Sequence, residues 1–229
     1  MKPESAIRAI LFDVGWTLIY PKPTRKEAIE KYLLALGYTF PPDVLESAYR
    51  AAVNFYRAHR WQPQVVANIA QFWQEYYTIY TEHIGIEDPG LTTALHKHAS
   101  KTIQFHLYPA TLPVLEELRR RGYLIGAVSN WSAELLNILK NLRLMDYFDS
   151  LVVSDIIGYH KPQPEIFRYA LISLKVHASE AIHVGDDLEA DVEGARRAGI
   201  RPIWLKRSAT DNADPTYRIQ SLDELLLFL

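Results

Sequence analysis

Asp13 with Thr17, Ser129 with Asn130, Lys161, and the run Gly185-Asp186-Asp187 followed by Asp191 are the residues of this chain best suited to chemistry. Several carboxylates in one crevice repel one another unless a cation lies among them. Oxygen ligands without cysteine or ligand-spaced histidine favour hard Mg2+, which binds one or two carboxylates together with a phosphate. Lys161 adds a second positive charge and Ser129 a hydroxyl, while backbone N–H groups at a helix start supply further donors. A metal, a lysine and free donors together suit a phosphoryl group. An aspartate not needed as a mere ligand is able to attack phosphorus and form an aspartyl-phosphate.

The elements that must position these groups are legible from periodicity. Apolar runs at 9–12, 123–130, 150–155, 181–186 and 201–205 read as buried strands, four of them ending in polar or acidic residues. Helical patterns at 113–121, 132–142, 164–174 and 188–198 lie between them. Fully apolar strands alternating with helices predict an α/β fold, a doubly wound parallel sheet covered on both faces. Ligands of such sheets bind beyond the carboxyl ends of the strands, so the polar residues converge on one crevice.

The stretch 20–106 breaks this alternation and carries only helical periodicity, with helices expected at 24–36, 42–59, 63–83 and 90–104. It reads as an all-helical domain inserted after the first strand, leaving 1–19 and 107–229 as the α/β core. Its aromatic residues, Tyr49, Phe55, Tyr56, Trp61, Phe72, Trp73, Tyr76, Tyr77 and Tyr80, are expected to hold the short helices together. Arg50, Arg57, His59 and Arg60 flank them as a solvated face from which one side chain could reach an anionic substrate.

Composition narrows the partners. With 229 residues, 48% hydrophobic and 23% charged, the chain is ordinary for a globular protein. A net charge of −2, from 25 basic and 27 acidic residues, lacks the basic excess of a nucleic-acid binder. The absence of cysteine removes disulfides, thiolate metal sites and cysteine nucleophiles. No apolar run approaches the roughly 18 residues of a membrane span, and the first nine residues carry no signal-peptide pattern. A cytoplasmic monomer or homodimer acting on a small phosphorylated molecule, without nucleic acid or membrane, is the expectation.

The four motifs, in this order and each at a strand end, resemble those of the haloacid dehalogenase-like hydrolase superfamily. Asp13 matches the nucleophile of the first motif, Ser129 the second, Lys161 the third, and Asp186 with Asp187 and Asp191 the fourth. The Lys-Pro-x-Pro-x-Ile-Phe run at 161–167 is also typical of that family. The resemblance implies that the helical insert is a cap and that Asp13, the Gly15 carbonyl and Asp186 hold Mg2+. It further implies that Thr17, Ser129, Asn130 and Lys161 position the phosphoryl group, with Asp187 and Asp191 standing behind the ligands. Asp13 and Lys161 are the catalytic pair in this reading.

One position departs from the pattern. Phosphatases of the family usually carry a general acid–base aspartate two residues after the nucleophile, and here that position is Gly15. Glycine offers a carbonyl but no proton, a loss that typically costs roughly 10²–10⁴-fold in rate. Two alternatives follow: a catalytically weakened binding or regulatory protein, or a hydrolase of C–P or C–halogen bonds. Haloacid dehalogenases lack the acidic fourth motif, and phosphonoacetaldehyde hydrolases need a cap lysine, whereas no lysine occurs between Lys31 and Lys97. Neither exception matches the sequence. His160 and His183 have no metal-ligand spacing and read as structural. Residues 222–229 read as an amphipathic terminal helix docked on its own sheet.

Overall fold

A computed structural model describes residues 6–60, 68–207 and 217–229. These form two compact units, the described residues up to Tyr20 together with those from His106 onward, and Pro21–Phe105. In the first, β1 (Ala9–Phe12) is completely buried, as a strand covered on both faces must be. Strands β2 (Ile19–Lys22) and β3 (Gln104–Leu107) pair with each other where the chain passes between the units. The sheet continues with β4 (Leu124–Ser129), β5 (Ser150–Val153), β6 (Ala181–Gly185), β7 (Arg201–Leu205) and the short β8 (Arg218–Ile219).

The sheet order is β5-β4-β1-β6-β7-β8, and every neighbouring pair is parallel. Counted without the β2–β3 ribbon, this is the 3-2-1-4-5-6 order of doubly wound folds. The order reverses at β1, so the crevice beyond β1 and β6 is the switch point where such folds bind ligands. Register brings the relevant ends level, since Phe12 lies opposite both Ala127 and Val184.

Packing fixes these strands. Helix Pro164–Leu174 buries Ile166, Phe167, Ala170 and Leu174 against Leu11, Val128 and Val152. Each fully buried side chain of this kind contributes about 1.5–3 kcal/mol relative to leaving it in water. Helix Thr111–Arg120 buries Val114, Leu115 and Leu118.

Pro21–Phe105 contains helices Arg25–Ala35, Pro42–His59, Ile69–His83 and Pro89–Thr102. Thr24 and Glu27 form a reciprocal cap at the first, and prolines open the second and fourth. The third was expected from residue 63, but 61–67, including Trp61, lie outside the described residues. Tyr76, Tyr77 and Tyr80 are buried at its centre with Ile29, Leu33 and Leu95. The Arg25 guanidinium lies 4.1 Å from the Trp73 ring centroid and donates to the Tyr77 hydroxyl. The aromatic residues are therefore largely core, and Arg50 and Arg57 are exposed.

Four details differ from the periodicity. The run at 150–155 leaves the sheet after Val153, because Ser154–Ile157 turns helical and ends at Gly158 with φ of 77°. The expected helix at 188–198 is a π-helical turn, Leu188–Glu193, followed by α-helix Gly194–Arg197. The terminal segment is a 3₁₀ stretch, Leu222–Leu227, which buries only Leu222 and Leu225. The β2–β3 ribbon and β8 carry too little alternation to be recognised in the sequence. No helix among the described residues is long and apolar enough to cross a membrane.

Candidate active site

Asp13 continues β1 by one residue, its N–H donating to the Val184 carbonyl at 2.9 Å. Its side chain is 10% exposed, and the carboxylate accepts from Lys161 Nζ at 2.6 Å. The same ammonium lies 2.6 Å from Asp191 Oδ1, and both Lys161 and Asp191 are almost wholly buried. His183 Nε2 contacts that Asp191 oxygen at 2.9 Å, while the Asp187 N–H donates to Oδ2 at 3.0 Å. Asp191 is thus committed to three groups of the protein. The Lys161 charge and the hydrogen bond from His183 hold its carboxyl well below the usual range despite burial.

The π turn explains how Asp191 faces inward. Asp187 caps the turn through its side chain, accepting from the Glu189 and Ala190 N–H groups. The Asp187 carbonyl accepts from both Asp191 and Val192, which widens the turn. Gly185 then makes room, because a Cβ there would lie 2.2 Å from Asp191 Cγ. His183 sits in β6, fully buried, with its Nδ1 unpartnered. Burial pushes its pKa down, so the neutral ring with the proton on Nε2 suits the bond to Asp191.

Asp186 is the less restrained carboxylate. Thr17 Oγ1 is 3.4 Å from its Oδ1, and Trp204 Nε1 donates to its main-chain carbonyl at 2.9 Å. One oxygen each from Asp13, Asp186 and Asp191 lie within 4.8 Å of one another. One lysine charge against three carboxylates leaves two negative charges in a buried place. Accordingly burial and the neighbouring carboxylates push Asp186 up to about 8, and burial, opposed by Lys161, pushes Asp13 up to about 6. A divalent cation held by oxygen would relieve this repulsion, so the donor set fits Mg2+, with Asp13 and Asp186 as the carboxylates that have fewer protein partners than Asp191.

The other residues singled out by the sequence fall around this group. Ser129 ends β4 and is 1% exposed. Asn130 turns both ends of its amide to the Lys161 main chain: Nδ2 donates to the carbonyl at 2.9 Å and Oδ1 accepts from the N–H at 2.7 Å. Asn130 therefore ties the Lys161 loop to the end of β4. His160 is outside the carboxylate group. Gly15 bridges to Ile19, and Trp16 takes the left-handed conformation at φ of 60°, a strain of about 1–2 kcal/mol for a non-glycine residue.

Arg207 was not anticipated, since nothing around a lone arginine after a strand marks it. It donates to the Trp16 carbonyl and, at 2.9 Å, to that of Thr17, and its guanidinium lies 3.6 Å from the Tyr108 ring centroid. These contacts hold the strained turn that follows Asp13. Because Arg207 is exposed, the expected cost of Arg207→Ala is modest, about 1–2 kcal/mol. That corresponds to roughly 2–8 °C in Tm for a chain of this size. Lysine cannot bridge both carbonyls from a stacked position, so Arg207→Lys should recover less than half of the loss. A thermal melt of the three proteins checks this, and an unchanged Tm for Arg207→Ala would remove the clamp from the account.

Residues 7–199 match the family model of haloacid dehalogenase-like hydrolases. Glyceraldehyde 3-phosphate phosphatase of Methanopyrus kandleri is 29% identical, over 91% of this chain and 88% of its own length. Ribulose-1,5-bisphosphate 5-phosphatase of Halopiger xanaduensis is 32% identical, over 90% of this chain and 89% of its own. Among solved structures, the Bacillus subtilis protein YfnB, described as a HAD hydrolase and crystallised with magnesium, superposes with a TM-score of 0.79. That likeness covers 98% of this chain and 99% of YfnB at 20% identity, and it concerns the fold.

Proposed function

This chain belongs to the haloacid dehalogenase-like hydrolase family, and from that premise we propose that it is a Mg2+-dependent phosphatase of small phosphate monoesters. The observation that carries the reading is the buried Asp13–Lys161–Asp191 arrangement beside Asp186. A pure binding module needs an anion-attracting lysine but no carboxylate held against it, which favours turnover over a regulatory role. The phosphatase names of the two relatives support the substrate class, a small phosphorylated molecule.

In this proposal Asp13 is the nucleophile. Its carboxylate oxygen bonds to phosphorus as the ester P–O bond breaks, and the leaving oxygen takes the electron pair. Lys161 offsets the charge on the phosphoryl oxygens, and Asp191 with Asn130 keeps the ammonium and its loop in place. The hydroxyls of Thr17 and Ser129 are the remaining phosphoryl donors, and Asp187 holds the turn that carries Asp191. Asp13, Asp186 and the Gly15 carbonyl would hold Mg2+, which supplies Lewis-acid polarisation of the phosphoryl group. Water then hydrolyses the aspartyl-phosphate, returning Asp13. Gly15 donates no proton to the leaving oxygen, so the rate depends steeply on leaving-group pKa. The helical unit's role as a cap, a cytoplasmic location and a monomeric or homodimeric state belong to the same proposal.

A panel of phosphate monoesters, assayed with Mg2+ and with chelator, tests the reading. Mg2+-dependent release of phosphate is expected, and no release from any ester would defeat it. Metal binding has a readout apart from turnover. In chelator, the raised Asp186 pKa means that the folded state binds a proton that the unfolded state has lost, so its contribution to stability falls as pH climbs from about 4 towards 8. Mg2+ displaces that proton, so the Tm increase it gives should be larger at pH 8 than at pH 5. Asp186→Asn should raise the Tm in chelator and remove most of the increase with Mg2+. A Tm indifferent to millimolar Mg2+ at pH 8 would overturn the metal assignment.

A further inference from the structure

His183 stands in the middle of β6, where all five residues are buried and an aliphatic side chain would leave no polar atom to satisfy. Side chains at i and i+2 of a strand share a side. His183 therefore faces the same way as Gly185, whose missing Cβ admits Asp191. The ring meets two neighbours there. Phe167 lies edge-on to it, with ring centroids 5.0 Å apart and planes at 84°, and Asp191 Oδ1 lies 2.9 Å from Nε2. Nδ1 has no hydrogen-bond partner among the described residues. Nε2 is thus the polar anchor of the ring, and an ionised carboxylate, which only accepts, requires it to donate.

The surroundings keep that contact in place. A Cβ on Gly194, directly after the π turn, would lie 2.8 Å from Phe167 Cε2 and 3.1 Å from Pro162 Cα. The turn that carries Asp191 is therefore packed on the ring that borders His183 and on the residue that follows Lys161.

Asp191 Oδ1 accepts from two donors, His183 Nε2 and Lys161 Nζ. The lysine ammonium has three N–H groups. Asp13 and Asp191 take two of them, each at 2.6 Å. Since the ammonium is tetrahedral, the direction of the third N–H is set by where those two oxygens stand. Asp191 is aimed in turn by His183 and by the Asp187 N–H.

We infer that His183 is a positioning residue for the phosphoryl site: its N–H holds the Asp191 oxygen on which Lys161 rests, and so directs the lysine N–H that meets the substrate. This rests on the phosphatase reading and adds to it a residue that none of the four motifs contains. His183 acts through Asp191 and Lys161 and touches neither substrate nor metal.

Two variants separate this role from simple packing. His183→Leu fills the strand and removes the donor, whereas the side-chain amide of His183→Gln brings an N–H back towards Asp191. In Mg2+ buffer, well below each melting temperature, inorganic phosphate should bind about tenfold more weakly to His183→Leu by calorimetry. Its kcat/KM for 4-nitrophenyl phosphate should fall by roughly 10–100-fold. His183→Gln should regain most of both. A packing role predicts the opposite order, because a polar amide suits an apolar strand less well than leucine. Side-chain 15N NMR of the parent protein, with the ring assigned through its own backbone, adds a readout that needs neither variant: the His183 proton should reside on Nε2. A proton on Nδ1 instead, phosphate affinity unchanged in His183→Leu, or a folded His183→Gln no better than leucine would each overturn the inference. Failure of the phosphatase reading has a different signature: phosphate binding weakened by leucine and regained with glutamine, while the parent hydrolyses no ester.

Discussion

Asp13→Asn is expected to remove at least about 10³-fold of the turnover while the protein remains folded, because an amide is no nucleophile. Position 13 is buried, and the amide oxygen still accepts from Lys161 at the place where Oδ1 now lies 2.6 Å away. Replacing one of three crowded carboxylates also lessens the repulsion that pushes Asp186 up. The melting temperature in chelator should therefore hold or rise. Two measurements separate nucleophile from ligand. Rapid acid quench with labelled substrate should trap phosphate on the parent chain and none on the variant, and kcat should fall while the chain still melts cooperatively. Activity above a tenth of the parent value would reduce Asp13 to a metal ligand.

Lys161→Met should damage stability and activity together. Lys161 is 2% exposed and its ammonium lies between two carboxylates, so removing it leaves buried charges without their partner. Breaking a buried pair in this way costs about 3–5 kcal/mol, or on the order of 10 °C in Tm at this chain length. The sign with pH follows from the carboxylates. Without the lysine, Asp13 and Asp191 protonate more readily, so the loss should be smaller at pH 5 than at pH 8. Turnover should fall by about 10³-fold or more, since nothing else in the group offsets phosphoryl charge from the protein side. Mg2+ should restore part of the stability and little of the rate. A variant melting within about 2 °C of the parent at pH 8 would mean that the triad is not held together as its distances imply.

The core strands were legible because they are buried on both faces and so appear as unbroken apolar runs. Ala9–Phe12 and Arg201–Leu205 coincide with their apolar runs. The residues after those runs were equally plain, since polar groups must gather where a parallel sheet ends. Helix Pro164–Leu174 could be read to the residue, because proline marks its first turn and its apolar stripe stops at Leu174. Elements made by long-range pairing were not legible. The two-residue β8 and the β2–β3 ribbon owe their existence to partners far away in the chain, and no local periodicity announces them.

The sequence by itself determined the α/β alternation, the helical insert, and the set Asp13, Ser129, Lys161 and Asp186 as the residues whose types and places suit the proposed chemistry. These follow from local patterns: hydrophobic period, proline and glycine punctuation, and polar residues at strand ends. Tertiary structure decided how those residues divide the work. Asp191 is committed to Lys161 and His183 because a π turn directs it inward and Gly185 leaves it room. Asn130 holds the Lys161 loop, Arg207 holds the turn after Asp13, and Trp131 occupies the space beside Gly15. Each is a contact between residues at least six positions apart, and most are 30 or more apart. Such contacts depend on how the strands are ordered and in what register, and that arrangement is a property of the packed chain rather than of any one segment.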